Sequence, residues 1–255
     1  MFDTFFDQRL ARFGGALACR REATGPIMPV QELLEPDTLD ALLDRFTAHQ
    51  PASERRAVAT QWSKHYLSRL IVPITVVELA CDLHLPTRLD EMGMVFGEDG
   101  TPVQFVLPHP GVLSLDNGCA RFCSLIAFHL TPMIEALARH VHFSPRVLWS
   151  NAAVYFEFAI NELEHQRLAN DFEIRGARRM MQTRILPDRQ KNPFYRPVDY
   201  IELVDESECA VNWRCRRMCC LRYLDDALDL CGNCPRLKKT RSAHKSARAQ
   251  TLSQA

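Results

Sequence analysis

Four cysteines fall between positions 219 and 234, in the stretch MCCLRYLDDALDLCGNCP. Cys219 and Cys220 are adjacent, ten residues follow, and Cys231 and Cys234 close the set as Cys-x-x-Cys-Pro. A Cys-x-x-Cys turn brings two sulfurs to one side of the chain, where both can bind one metal ion. Gly232 is expected to permit that turn, backbone N–H groups within it can hydrogen-bond the sulfurs, and Pro235 is expected to stop any continuing helix. Adjacent cysteines diverge in regular structure, so Cys219 and Cys220 can both ligate only from an irregular turn. Thiols in this arrangement suit a structural zinc ion, an iron–sulfur cluster or a redox disulfide. Zinc sites usually separate both pairs by two to four residues, and the direct Cys-Cys pair departs from that. Spacing leaves the three chemistries open.

The other reactive side chains have simpler expectations. Cys209 and Cys215 lie just upstream and are expected to be packed, as are Cys119 and Cys123 on a helix. Glu162 and His165 form a Glu-x-x-His pair, but a di-iron bundle needs a second copy and the chain has none, so an exposed polar face is expected. His140 and His142 sit at a helix end, where the helix C-terminus favours them. No G-x-S-x-G, Gly-rich phosphate loop or dinucleotide fingerprint is present. Two basic clusters remain. Arg214, Arg216, Arg217 and Arg222 surround the first cysteine pair; Arg175, Arg178, Arg179, Arg184, Arg189, Lys191 and Arg196 form a second run. Solvated faces are the expectation for both, and as candidate anion sites Arg217, Arg222, Arg178 and Arg179 are singled out.

What must position the thiols is a mainly helical body with a small β element. The chain of 255 residues can form its own core, and 47% apolar with 24% charged residues is ordinary for a globular protein. Phe2, Phe5, Phe6, Leu10 and Phe13 predict an amphipathic N-terminal helix. Asp37 can cap a helix to about Ala48, and another runs from Ser53 until Pro73 kinks or ends it. The stretch MVFGEDGTPVQFVL (94–107) predicts a hairpin. Helices follow over Gly118 to His140 and from Ser144-Pro145 to about Ala169. Residues 185 to 197 read as a loop and Tyr200 to Val204 as a short strand. The domain expectation is an N-terminal helical segment (1–50), a body (51–207), a cysteine segment (208–236) and a basic, disordered tail (237–255).

Lys and Arg equal Asp and Glu at 31 each, but the six basic residues from Pro235 onward face no acid, leaving 25 basic and 31 acidic residues before them, a net of −6. A globally basic composition is absent and no nucleic acid is expected as partner. The N-terminus lacks an apolar signal region. The longest strongly apolar uncharged stretch, Phe122 to Ile134, has 13 residues, too few to span a bilayer. A cytoplasmic location is expected, where thiols stay reduced and ten cysteines point to metal or redox chemistry.

The pattern Cys-Cys, ten residues, Cys-x-x-Cys-Pro, with the flanking RRMCCLRY and CGNCP, resembles the C-terminal motif of the FhuF-type ferric-siderophore reductases. The stretches WSKHYLSRLIVP (62–73) and RVLWSNAAVYF (146–156) are also similar to that family, so the resemblance spans about Trp62 to Pro235. It implies a [2Fe–2S] cluster on Cys219, Cys220, Cys231 and Cys234, with no catalytic residue beyond the cluster. It implies a ferric siderophore as substrate, of the hydroxamate type first. It also implies an external electron donor (ferredoxin, flavoprotein or small reductant); docking at the inner face of the membrane on a siderophore importer stays open. One electron turns Fe(III), which hard oxygen ligands hold strongly, into Fe(II), which they hold poorly. The alternatives are a non-enzymatic zinc module and a relative of siderophore-biosynthesis proteins.

Overall fold

A computed structural model describes residues 2–49, 54–204 and 210–238. Among them, six α-helices carry the architecture: α1 (Pro36–His49), α2 (Arg55–Cys81), α3 (Cys119–Ser124), α4 (Thr131–His140), α5 (Pro145–Gln166) and α6 (Asp171–Gln182). The strands are short: β1 (Leu17–Cys19), β2 (Met28–Pro29), β3 (Leu83–His84), β4 (Gly93–Phe96), β5 (Pro102–Leu107), β6 (Val112–Leu113), β7 (Val198–Val204) and β8 (Ala210–Arg216). The fold is mainly helical with small β elements, as the sequence leads one to expect.

α2 is the axis of the molecule. Apolar residues surround it, so it must be covered from several sides at once. α5 packs along it and β5 crosses it. Trp62, Tyr66, Leu70, Ile74 and Val77 are at most 1% exposed, and burying each stabilises the fold by roughly 1.5–3 kcal/mol. That packing explains why α2 runs through Pro73 rather than ending there: a helix-interior proline costs about 3 kcal/mol, less than the burial it would forfeit.

The hairpin expected at 94–107 is β4–β5, with Met94 opposite Phe105. Its turn is closed by Gly97 N–H to Thr101 O at 2.9 Å and fastened to α2 by Trp62 Nε1 to Gly100 O at 2.9 Å. The sheet order is β1-β5-β4-β2, with β1 parallel to β5. The N-terminal segment thus contributes strands as well as α1. Its phenylalanines do not lie on one helix. Two 3-10 turns, Asp3–Phe5 and Gln8–Phe13, replace it, because Gln8 adopts φ 48° and interrupts any continuous helix. Phe2, Leu10 and Phe13 still reach the core.

The helix expected over 118–140 is divided into α3, a π-helical segment (Leu125–Leu130) and α4. Pro132 is the cause: it has no N–H for the carbonyl of Phe128. That carbonyl instead accepts from Leu89 N at 3.1 Å. Within the π segment His129 is fully buried, donating to Thr87 O at 2.9 Å and accepting from the Tyr66 hydroxyl at 2.6 Å. Burial pulls its value down to about 4 and keeps the ring neutral. α5 starts at Pro145 as expected, although the Ser144 side chain makes no capping bond. α6 and β8 occupy stretches for which no element was expected. Among the described residues, no helix is long and apolar enough to cross a membrane.

Candidate metal centre

β7 and β8 form an antiparallel ribbon in which Val198 faces Arg216. It delivers the chain to the cysteines. Alternation along β8 puts Arg214 and Arg216 on one face, and both reach α5. Arg214 Nε donates to Glu157 Oε2 at 2.7 Å and its Nη2 to Val154 O at 2.9 Å. Cys215, on the opposite face, is fully buried. The expectation of packing therefore holds for Cys215, while Cys209 lies outside the described residues. The solvated face expected for this arginine cluster is wrong for two members. Arg216 is 4% exposed, and Arg214 is half-buried against α5.

Beyond Arg216 the backbone becomes irregular. Leu221 adopts the left-handed conformation (φ 60°, ψ 8°). This reverses the chain so that successive N–H groups converge: Leu221 N–H donates to Cys219 sulfur and Arg222 N–H to Cys220 sulfur. A 3-10 turn, Arg222–Leu224, follows. The intervening loop is closed by Arg222 Nε to Asp229 O at 2.6 Å and by Asp225 accepting from Ala227 N at 3.0 Å. Cys234 N–H then donates to Cys231 O at 2.9 Å, and Trp213 Nε1 holds Gly232 O at 2.8 Å. Gly232 has no positive φ and open space where a Cβ would lie, so the turn does not depend on glycine. Pro235 opens a further 3-10 turn, Pro235–Leu237, instead of merely ending structure.

The two halves of the motif meet sulfur to sulfur. Cys220 Sγ lies 3.9 Å from Cys231 Sγ, and Cys219 has Cys234 as an electrostatic neighbour. Cys220 and Cys234 are buried; Cys219 and Cys231 are half-buried. The Cys220 thiol is pulled well below its ordinary value, first by the hydrogen bond from Cys231 and then by Lys64, Arg216 and the Arg222 N–H, against burial. Cys231 is pushed up by the same shared bond and by burial. Burial raises Cys219. The set therefore holds one thiolate readily and resists holding four without a metal to offset them. Among the described residues no group of three or more His, Cys, Asp or Glu side chains is arranged to hold a metal ion.

α2 and α5 supply the backing. Lys64 lies near both Cys220 and Cys231. Tyr155 is half-buried, with Cys220, Arg216 and Ser68 among its electrostatic neighbours. Arg216 donates to Asn151 Oδ1 and, at 3.5 Å, to Ser150 Oγ. These residues belong to the two internal stretches quoted above. Polar side chains four apart in apolar helices, Lys64 with Ser68 and Asn151 with Tyr155, were the signal that could have marked them.

Other candidates have other partners. Arg217 is exposed, with Nε 3.8 Å from Asp199. Arg178 is committed to Asn161 at 2.9 Å and to Glu164. Arg179 lines a surface pocket of ≈ 240 Å³ with Asn117, Phe172 and Arg175. Cys123 donates to Cys119 O at 2.9 Å and is exposed, so the packing expectation fails for it, while Cys119 is half-buried and packs against the core. Glu162 is buried and paired with Arg9 at 2.8 Å rather than displayed with His165. His140 Nε2 binds Asp40 at 2.8 Å.

The family model described as ferric iron reductase FhuF-like transporter matches residues 60–205. The chain belongs to this family. It is also similar to the ferric siderophore reductase of Escherichia coli (strain K12), with 23% identity over 223 residues, covering 81% of this chain and 78% of that protein. The family span contains most of α2 and all of α5, the two helices that back the cysteine segment, and ends just before β8.

Proposed function

We propose that this protein is a ferric-siderophore reductase that delivers one electron to an Fe(III) chelate, releasing Fe(II) in the cytoplasm. The observation that carries the reading is the meeting of Cys219 and Cys220 with Cys234 and Cys231 in a chain of this family. Cys219, Cys220, Cys231 and Cys234 would hold a [2Fe–2S] cluster, which supplies one-electron redox chemistry when bound. The residues around it then have defined tasks. The N–H groups of Leu221 and Arg222 hydrogen-bond sulfurs, burial of Cys220 and Cys234 limits water, and half-exposure of Cys219 and Cys231 leaves a path outward.

The substrate is a ferric siderophore, hydroxamate in the first instance, whose hard oxygens release iron once it is Fe(II). No acid, base or nucleophile is needed. Arg217 and Arg222 flank the cysteines and would meet an anionic chelate or donor, while Arg178 and Arg179 sit on α6 and would serve a ligand there. The electron comes from an external ferredoxin, flavoprotein or small reductant, and the protein works at the inner face of the membrane, beside a siderophore importer. In this reading residues 208–236 are the redox segment of a mainly helical body.

The test is an anaerobic absorbance and EPR spectrum before and after dithionite. Visible bands that bleach, with an S = 1/2 signal on reduction, are expected, and Cys231→Ser should remove them. A colourless protein with one zinc per chain, gaining no cluster on reconstitution, would replace this reading with a zinc module.

A further inference from the structure

Arg216 is 4% exposed, yet among the described residues no carboxylate pairs with it. Its side-chain partners, Asn151 and Ser150, are neutral. Among the described residues the Nε–H has no acceptor, and neither has Nδ2 of the fully buried Asn151. A buried carboxyl can shed its charge by taking a proton; a guanidinium cannot shed its own. An uncompensated buried cation is strongly destabilising, so the anion must come from whatever this arginine faces. Its backbone N–H donates to Asn233 O at 2.9 Å, setting it against the Cys231–Cys234 turn. Tyr155 is an electrostatic neighbour of both Arg216 and Cys220. On the α2 side Lys64 stands near both Cys220 and Cys231, its Nζ held 3.0 Å from Gln61 Oε1.

We propose that Arg216 is the buried counter-charge of the group held by the four cysteines, fixed by Asn151, with Lys64 as a second cation on the same sulfurs. Both are positioning residues. They stabilise negative charge at the sulfurs, and more of it after one electron is added, so together they set the potential upward. The inference rests on the iron–sulfur reading above.

The experiment is a spectroscopic redox titration of the protein as isolated and of Arg216→Gln, Arg216→Lys, Lys64→Gln and Lys64→Arg. The midpoint potential should fall most in Arg216→Gln and less in Lys64→Gln, while the two charge-retaining variants stay nearer the wild type. A purely structural role would not order the potentials by charge. If Arg216→Gln does not fold, the Lys64 pair decides by the same criterion. Unchanged or raised potentials in the charge-removing variants would overturn this inference and leave the cluster assignment intact. A wild-type protein with no reducible centre would overturn both.

Discussion

Arg214 and Arg216 stand two residues apart on one strand and reach the same helix, but their charges end differently. Arg214 meets the carboxylate of Glu157, which is 3% exposed. Glu157 also takes Asn161 Nδ2 at 2.7 Å and the Tyr200 hydroxyl. That network is closed: each charge has its opposite and the ribbon is bolted to α5. Among the described residues Arg216 meets neutral hydrogen-bond partners, with an N–H left over. A third group shows the remaining option. Glu78 is 1% exposed, its Oε2 has no hydrogen-bond partner among the described residues, and burial pushes its value to about 8 despite Leu85 N–H and Arg121. An acid in that position keeps its proton. Arginine has no such exit. Buried polar groups that the protein leaves incomplete therefore mark where something else completes them.

The comparison breaks most visibly at Glu157. Replacing it with Gln leaves the half-buried Arg214 and the bonds of Asn161 and Tyr200 without their carboxylate. The expected loss is about 3–5 kcal/mol of folding stability, read from denaturant unfolding. A loss no larger than that of a surface substitution would mean the network is not closed.

Glu78→Gln comes next and turns on pH. Below the ordinary value of 4.5 the carboxyl is protonated in both states. Between 4.5 and about 8 the unfolded chain gives up its proton while the folded protein keeps it, so stability falls as pH rises. Gln cannot ionise and should flatten that fall. At pH 8 the variant should gain on the order of 3 kcal/mol relative to the wild type, with little gain at pH 4.5. Parallel slopes for both proteins across this window would show that Glu78 is ionised when folded.

How much of this the sequence disclosed depends on where the side chains' partners lie. The β4–β5 hairpin was legible because its alternation and its Asp99-Gly100 turn are local signals. The cysteine set was legible for the same reason, although the meeting of its two halves was not. β8 was hidden because its inward positions carry arginines, and an arginine that pairs with a distant helix looks like a solvated one. α6 was hidden by its charges and by Gly176, a poor helix residue. The reason for that glycine is tertiary: Asn117 Oδ1 lies 1.8 Å from where a Cβ would stand. Pro73 misled in the opposite sense, since burial around α2 outweighed a strong local rule.

A smaller effect sharpens the Arg216 side. If its charge is answered by the cysteine-held group, stripping the metal with a chelator should cost the wild type more stability than it costs Arg216→Gln. The difference should be about 1–3 kcal/mol, the coupling expected of neighbouring charged groups. Equal losses in the two proteins would mean the arginine does not sense what the cysteines hold.

The smallest expected effect concerns Gly232, and it separates two accounts of the Cys231–Cys234 turn. If the turn needs glycine, Gly232→Ala should release the metal. In the structure neither its φ nor its surroundings demand one. The turn is held by Cys234 N–H on Cys231 O and by the Trp213 indole on Gly232 O, and both acceptors are backbone atoms that alanine keeps. The unfolding midpoint should then correspond to a change within about 0.5 kcal/mol, and the visible absorbance per chain should match the wild type. Gly176→Ala is the contrasting substitution, because its Cβ would collide with Asn117. A variant at 232 that bleaches while the one at 176 does not would show that the bound turn takes a left-handed residue at that position, and that the sulfurs reach their final arrangement only when the metal is in place.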